Sequence, residues 1–166
     1  MVASSNIDVV DILKSEHEEL VQRFGEVFAQ PRDDRYLKMI DSLCTALKIH
    51  MDAESEVFYP TFLRCTRDGL THLCASVNHE NVKFAIDDIE HTGPGDALYA
   101  QRVQELYILF AHHAKDAEKP GGLFEVARHS TLDGAEVGRA VLLRERELEA
   151  RLNCSGRAVD TITSAC

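Results

Sequence analysis

The chain is 166 residues long, 45% hydrophobic, and carries a formal net charge of −10. That length suits a single domain with a real core, and the negative charge argues against nucleic acid or an anionic membrane as a partner, because the phosphate attraction that dominates such binding would be repulsive. No stretch is long and apolar enough to span a bilayer, and Met1–Asn6 lacks the basic and apolar regions of a secretory leader. Cys44, Cys65, Cys74, Cys154 and Cys166 are odd in number, scattered, and contain no C-x-x-C, so a cytoplasmic protein with free thiols is expected.

Helical periodicity then runs through the chain. In the first segment Val10, Leu13, His17, Leu20, Phe24 and Val27 alternate three and four residues apart, which places them on one face of a helix that ends at Gln30-Pro31-Arg32-Asp33. The second carries Tyr36, Ile40, Leu43, Leu47, His50, Glu54 and Val57 and stops at Arg67-Asp68-Gly69. The third, with Ala75, His79, Val82, Ile86 and Ile89, ends at His91-Thr92-Gly93-Pro94-Gly95-Asp96. The fourth, with Val103, Leu106, Phe110, His113 and Ala117, ends at Lys119-Pro120-Gly121-Gly122. Four amphipathic helices with short connections predict an all-α, antiparallel up-down-up-down four-helix bundle. A highly charged segment from Glu136 to Leu152, whose core candidates are Val141, Leu148 and Leu152, is expected as an additional C-terminal helix lying against the outside. Residues 1–152 thus form one bundle with its appended helix, and 153–166, small and polar, are expected to be a disordered tail.

Each of the four stripes carries a histidine where leucine or isoleucine would be ordinary: His17, His50, His79 and His113. A lone histidine on an apolar face is usually a core residue with a hydrogen-bond partner. With 8 histidines in the chain, one at a chosen position is about a one-in-twenty event, so one on each of four stripes is a coincidence of about 10⁻⁵, or about 10⁻³ after freedom of register. Counted from the loops at ~1.5 Å per residue, the four lie at similar depth. Buried together without a cation they would be poorly satisfied, whereas a transition metal uses their lone pairs. Glu54 adds a carboxylate one turn from His50 on the same face. On the fourth helix Ala117 takes the matching position, and the candidates beside it are Asp116, Glu118 and His112. Glu118 is favoured because Pro120 frays the helix end and frees it to turn inward. An all-nitrogen-and-oxygen set selects iron or manganese over metals that prefer thiolate, with iron first.

The segments Leu13-Lys14-Ser15-Glu16-His17-Glu18-Glu19-Leu20 and His50-Met51-Asp52-Ala53-Glu54-Ser55-Glu56-Val57-Phe58-Tyr59-Pro60 look like two successive helix motifs, the latter being the most specific. Asn78-His79-Glu80-Asn81-Val82, then His113-Ala114-Lys115-Asp116-Ala117-Glu118 followed by Leu123-Phe124, complete the order. From about Asp8 to Arg128 the chain resembles the hemerythrin-like, HHE cation-binding domains. The resemblance implies two iron ions (Fe2+/Fe3+), carboxylate- and oxo-bridged, with His17, His50, His79 and His113 as terminal ligands and Glu54 and Glu118 as bridges; manganese or zinc are the alternative metals. Hemerythrins proper have H-x-x-x-H on the third helix, but Ala75 stands four residues before His79. His72, about 10 Å along the axis from His79, is too far to replace it. One nitrogen ligand is therefore missing, leaving a more open metal or a position filled by water or another residue, with His112 in reserve.

Other residues have ordinary readings. His91 and His129 sit at helix ends, facing the dipole. Tyr59, Phe58, Tyr107 and Phe110 are expected in the bundle core, and Pro60 is expected to kink the second helix or end its regular part. Glu16, Glu18, Glu19, Glu56 and Glu80 read as solvated faces, with Glu56 and Glu80 as candidate acceptors behind the ligands. The function implied by the resemblance is binding of a small diatomic such as dioxygen or nitric oxide, or of peroxide, for storage or sensing. The alternatives are an oxidoreductase acting on peroxide, oxygen or NO, repair of iron–sulfur centres, or a helical interaction domain with structural histidines. Family members proposed for repair carry a cysteine-bearing segment ahead of the first helix, and no cysteine precedes it in this sequence.

Overall fold

A computed structural model describes residues 7–163, with side-chain detail as far as Asn153. Met1–Asn6, and residues 164–166 at the end of the expected tail, lie outside the described residues. Helix α1 spans Val9–Phe28 and α2 Asp34–Ala53; a π turn over Glu54–Phe58 carries the same rod into α3, Tyr59–Thr66. Helix α4 spans Gly69–Thr92, α5 Tyr99–Glu118, the short α6 Leu123–Arg128 and α7 Gly134–Thr163. Helix α1, the α2–α3 rod, α4 and α5 are the four antiparallel members of the bundle, and α7 is the additional C-terminal helix. It continues beyond Leu152, through most of the segment whose small polar residues suggested a tail, and no proline in that segment interrupts the helix. Among the described residues no helix is long and apolar enough to cross a membrane.

Aspartates begin four of the helices. Asp8, Asp33, Asp68 and Asp133 accept hydrogen bonds from first-turn amides of α1, α2, α4 and α7, satisfying donors that have no partner within the helix. The interruption of the second rod traces to Pro60. Its nitrogen has no hydrogen to give to the carbonyl one turn back, and the chain widens just before it, so that the Tyr59 amide donates to Glu54 O, five residues back. This is how the sequence-predicted kink is realised, and it brings Tyr59 onto the same face as Glu54.

The apolar interior is in two parts. One contains Leu20, Phe24, Leu43, Leu47, Val82, Ile86, Leu106 and Phe110; the other contains Val9, Leu13, Ala53, Phe58, Phe62, Ala75, Ala117, Phe124 and Val141. Along every bundle helix the stripe passes from one part to the other through a histidine: Leu13–His17–Leu20, Leu47–His50–Ala53, Ala75–His79–Val82 and Phe110–His113–Ala117. The four imidazoles therefore form a polar layer between two apolar halves.

Helix α7 runs parallel to α1 and packs on α1 and α2. Its first turns approach closely because Gly134 and Gly138, four residues apart, present only backbone. A Cβ on Gly138 would stand 2.8 Å from Ile12 Cδ1 and 2.9 Å from the Ile7 carbonyl oxygen, and one on Gly134 would strike the Asp8 carboxylate that caps α1. Gly138→Leu is accordingly expected to lower the unfolding free energy by about 1–3 kcal/mol through overpacking, read as a shifted urea midpoint at unchanged slope.

Candidate metal centre

His17 comes from α1, His50 from α2, His79 from α4 and His113 from α5, and Glu54 opens the π turn. All five are buried, the least buried being His50 at 3% exposure. One ligand atom each from His17, His50, Glu54 and His113 lies within 4.8 Å of the others. The two Glu54 oxygens divide the histidines. Oε1 is 3.8 Å from His17 Nε2, while Oε2 is 3.9 Å from His50 Nε2 and 3.3 Å from His113 Nε2. His79 adjoins this group, with its ring centroid 5.7 Å from that of His113 and 5.2 Å from that of Tyr59.

The hydrogen bonding of the site is lopsided. The Nε2 atoms of all four histidines and Glu54 Oε1 are buried with no hydrogen-bond partner. Native proteins rarely leave one such atom unpaired, because each costs about 1–3 kcal/mol. Converging donors from His17, His50, His113 and Glu54, with His79 beside them, are instead what a transition-metal ion requires, and the set of imidazole nitrogen and carboxylate oxygen suits iron, manganese or zinc. The other ring nitrogens are held from behind: His17 Nδ1 lies 3.3 Å from Glu118 Oε1 and His50 Nδ1 lies 2.8 Å from Glu16 Oε2. A carboxylate on Nδ1 fixes the tautomer that turns the Nε2 lone pair inward.

The electrostatics follow from this burial. Desolvation lowers His17 to about 4, against its hydrogen bond to Glu118, and lowers His79 to about 4, against the charge of Glu54. His50 is also desolvated, but the Glu54 and Glu16 carboxylates outweigh that and raise it. Burial alone would raise Glu54, yet the surrounding imidazoles, His113 foremost, bring it well below the usual carboxylate range. The centre without metal is thus a buried carboxylate among imidazoles, of which His17 and His79 resist protonation.

The remaining sequence candidates fall outside this group. Glu118 stands behind His17 on its Nδ1 side, with Oε2 3.9 Å from Lys14 Nζ, so Glu54 is the carboxylate that lies among the imidazole Nε2 atoms and Glu118 faces them from outside. Asp116 accepts from Asn78 at 3.2 Å and pairs with Lys119, and His112 is exposed. His91 and His129 face the Asp87 and Glu125 carbonyls at helix ends, as expected. Tyr59 has more than a core role: its hydroxyl donates to Glu54 Oε2 at 3.4 Å. Ala75 is buried and, with Tyr59, Cys74, Asn78 and His113, lines a cavity of about 200 Å³, so the volume where hemerythrins proper carry a further histidine stays open beside His113.

A second group abuts the first. Glu16, Glu145 of α7 and His50 present ligand atoms within 4.8 Å of one another. Desolvation and the neighbouring Glu16 push the Glu145 carboxyl up to about 8. The sequence had assigned Glu16 to a solvated face and Glu145 no role; the signal available was that Glu145 shares the stripe of Val141 and Leu148.

The sequence profile of the hemerythrin HHE cation binding domain matches residues 8–120. A crystal structure of a hemerythrin HHE cation binding domain-containing protein from Mycobacterium kansasii superposes with a TM-score of 0.76 at 16% identity, covering 91% of this chain and 93% of that one. No curated protein matches the chain.

Proposed function

The chain belongs to the hemerythrin HHE cation-binding family, and from that premise we propose that it holds two iron ions at the buried cluster and there binds dioxygen or another small oxidant, such as nitric oxide, for storage or sensing. The observation that carries this reading is that four histidine Nε2 atoms and Glu54 Oε1 are buried without hydrogen-bond partners, with His17, His50, His113 and Glu54 converging and His79 adjoining them. His17, His50, His79, His113 and Glu54 would hold the metal, and the way the two Glu54 oxygens face different histidines suits a carboxylate shared between two ions. Bound iron supplies a redox-active centre with room for a small exogenous ligand.

The chain's own residues define what can reach that centre. His17 stacks on Phe124 at 5.5 Å between centroids and meets Phe110 edge-on at 5.8 Å, so apolar rings exclude water from one side. The cavity beside Ala75 and His113, about 200 Å³, is below the size of ordinary small-molecule pockets and suits a diatomic. Tyr59 keeps a hydroxyl proton beside Glu54. That proton favours a second reading, an oxidoreductase of peroxide, oxygen or NO, since it could pass to a reduced ligand. Free thiols at Cys44, Cys65 and Cys74 suit the cytoplasm.

Elemental analysis of protein purified without added metal, joined to visible absorption on anaerobic-to-aerobic transfer, tests the proposal. The expected result is about two irons per chain and absorption bands that reverse when oxygen is removed. Irreversible bleaching or peroxide consumption would move the assignment to the oxidoreductase, and no metal uptake after iron reconstitution would overturn both.

A further inference from the structure

We propose that Glu16, Glu145 and the Nδ1 side of His50 form a docking site for an incoming divalent first-row transition cation, on the route by which metal reaches the buried cluster. This rests on the metal-centre reading above and adds the loading step to it. The three residues come from α7, α1 and α2, and their ligand atoms lie within 4.8 Å of one another, the same closeness as in the central set. Carboxyl oxygens and an imidazole nitrogen are donors that ferrous or manganous ions accept, and a cation bound here would displace the protons that Glu145 and His50 Nδ1 carry without it.

Glu145 has no packing reason to be where it is. It is half-buried on the inward stripe formed by Val137, Val141 and Leu148, where an apolar side chain would be ordinary. It meets another carboxyl group, while its sequence neighbour Arg144 reaches away to Glu56 at 2.5 Å and Glu147 at 2.9 Å. A cavity of about 470 Å³ opens over this group, and Glu19 and Glu149 also line it. Arg23, on the same wall, donates to Ser42 at 2.9 Å. Glu16, Glu19 and Glu149 outnumber the one arginine among these lining residues, which favours entry of a cation that then displaces the Glu145 proton.

His50 is the partition between this cleft and the centre. Its Nδ1 faces Glu16 while its Nε2 faces Glu54, so a cation held by Glu16 and Glu145 is one imidazole ring from the central carboxylate. The cavity beside His113 differs in kind. Its carboxylate, Asp116, is already neutralised by Lys119 and bonded to Asn78, which suits a neutral ligand and not a cation. The protein thus separates a route for metal from a route for the small ligand.

Cobalt(II) is the probe. Metal-free full-length protein, mixed with excess cobalt in a stopped-flow instrument, reports loading through the visible absorption of the bound ion, and calorimetry reports stoichiometry. Glu145→Gln is expected to slow loading by about tenfold or more and to remove a weaker additional cobalt, while the final spectrum of the centre is unchanged. Glu147→Gln, the same substitution on the same helix outside the cleft, is expected to load as wild type does. Equal loading rates and stoichiometries for wild type and Glu145→Gln would overturn the docking site and leave the centre standing. Equal slowing by Glu147→Gln would overturn it too, by reducing the effect to general attraction. A wild-type protein that takes up no cobalt would overturn the metal centre, and the docking site with it.

Discussion

Glu54→Gln is expected to weaken metal binding by more than ~100-fold and to lower the stability of the metal-free protein at pH 7 as well. The Glu54 carboxylate is completely buried, Oε1 has no hydrogen-bond partner, and Oε2 has only the long hydrogen bond from Tyr59. In the metal-free protein the surrounding imidazoles hold that carboxylate ionised against its burial, an interaction the neutral amide loses. With a cation the same carboxylate becomes the one anionic ligand at the centre of the group. Glu118→Gln should behave differently, because it acts on His17 from behind: a loss of about 10–100-fold in affinity with the centre still assembled. Chelator competition gives the affinities and urea unfolding of the metal-free variants gives the stabilities. Equal loss in both variants would place Glu118 among the ligands.

Acid is the second large lever. His17 and His79 are held near 4 in the folded protein, against an ordinary value of 6.5. Between those values the unfolded chain takes up protons that the folded chain refuses, so the stability these groups give is complete above pH 6.5 and is lost as the pH falls toward 4. Each should cost the metal-free protein about 2 kcal/mol on going from pH 7 to pH 4.5. His50 is shifted upward, so its contribution changes in the window above pH 6.5 and does not offset that loss. Metal should widen the effect, since protons and cation compete for the same nitrogens. The check is the urea midpoint at pH 7 and pH 4.5, with and without chelator; a metal-free protein equally stable at both would show these histidines to be solvated.

The sequence was most legible where the site obeys helical periodicity. Each histidine stands on an apolar stripe in place of leucine or isoleucine, and Glu54 follows His50 by one regular turn, so the bundle and the core of its candidate centre could be read directly. Legibility failed where that periodicity fails. Tyr59 reaches Glu54 from five residues on, a spacing that exists only because the turn before Pro60 widens. Glu118 sits at the end of α5, where no helical register fixes its direction, and it serves His17 from outside. Glu145 was hidden differently. In a helix as charged as α7 one more glutamate reads as solvated, and only the close approach permitted by Gly134 and Gly138 turns it toward Glu16.

The histidine layer also bears on how the molecule comes apart. Because each helix leaves one apolar half and enters the other through an imidazole, the apolar stripe is interrupted at one level in all four rods. Emptied of metal, the two ends are joined there by backbone and by ring contacts such as those of His17 with Phe110 and Phe124, and should open as separate units, with amide exchange protection falling into two tiers. A bound ion, tied to all four rods at that level, would fuse the tiers into one. Occupancy of the centre would then be felt at both ends of the protein as a change in cooperativity, without any helix having to move.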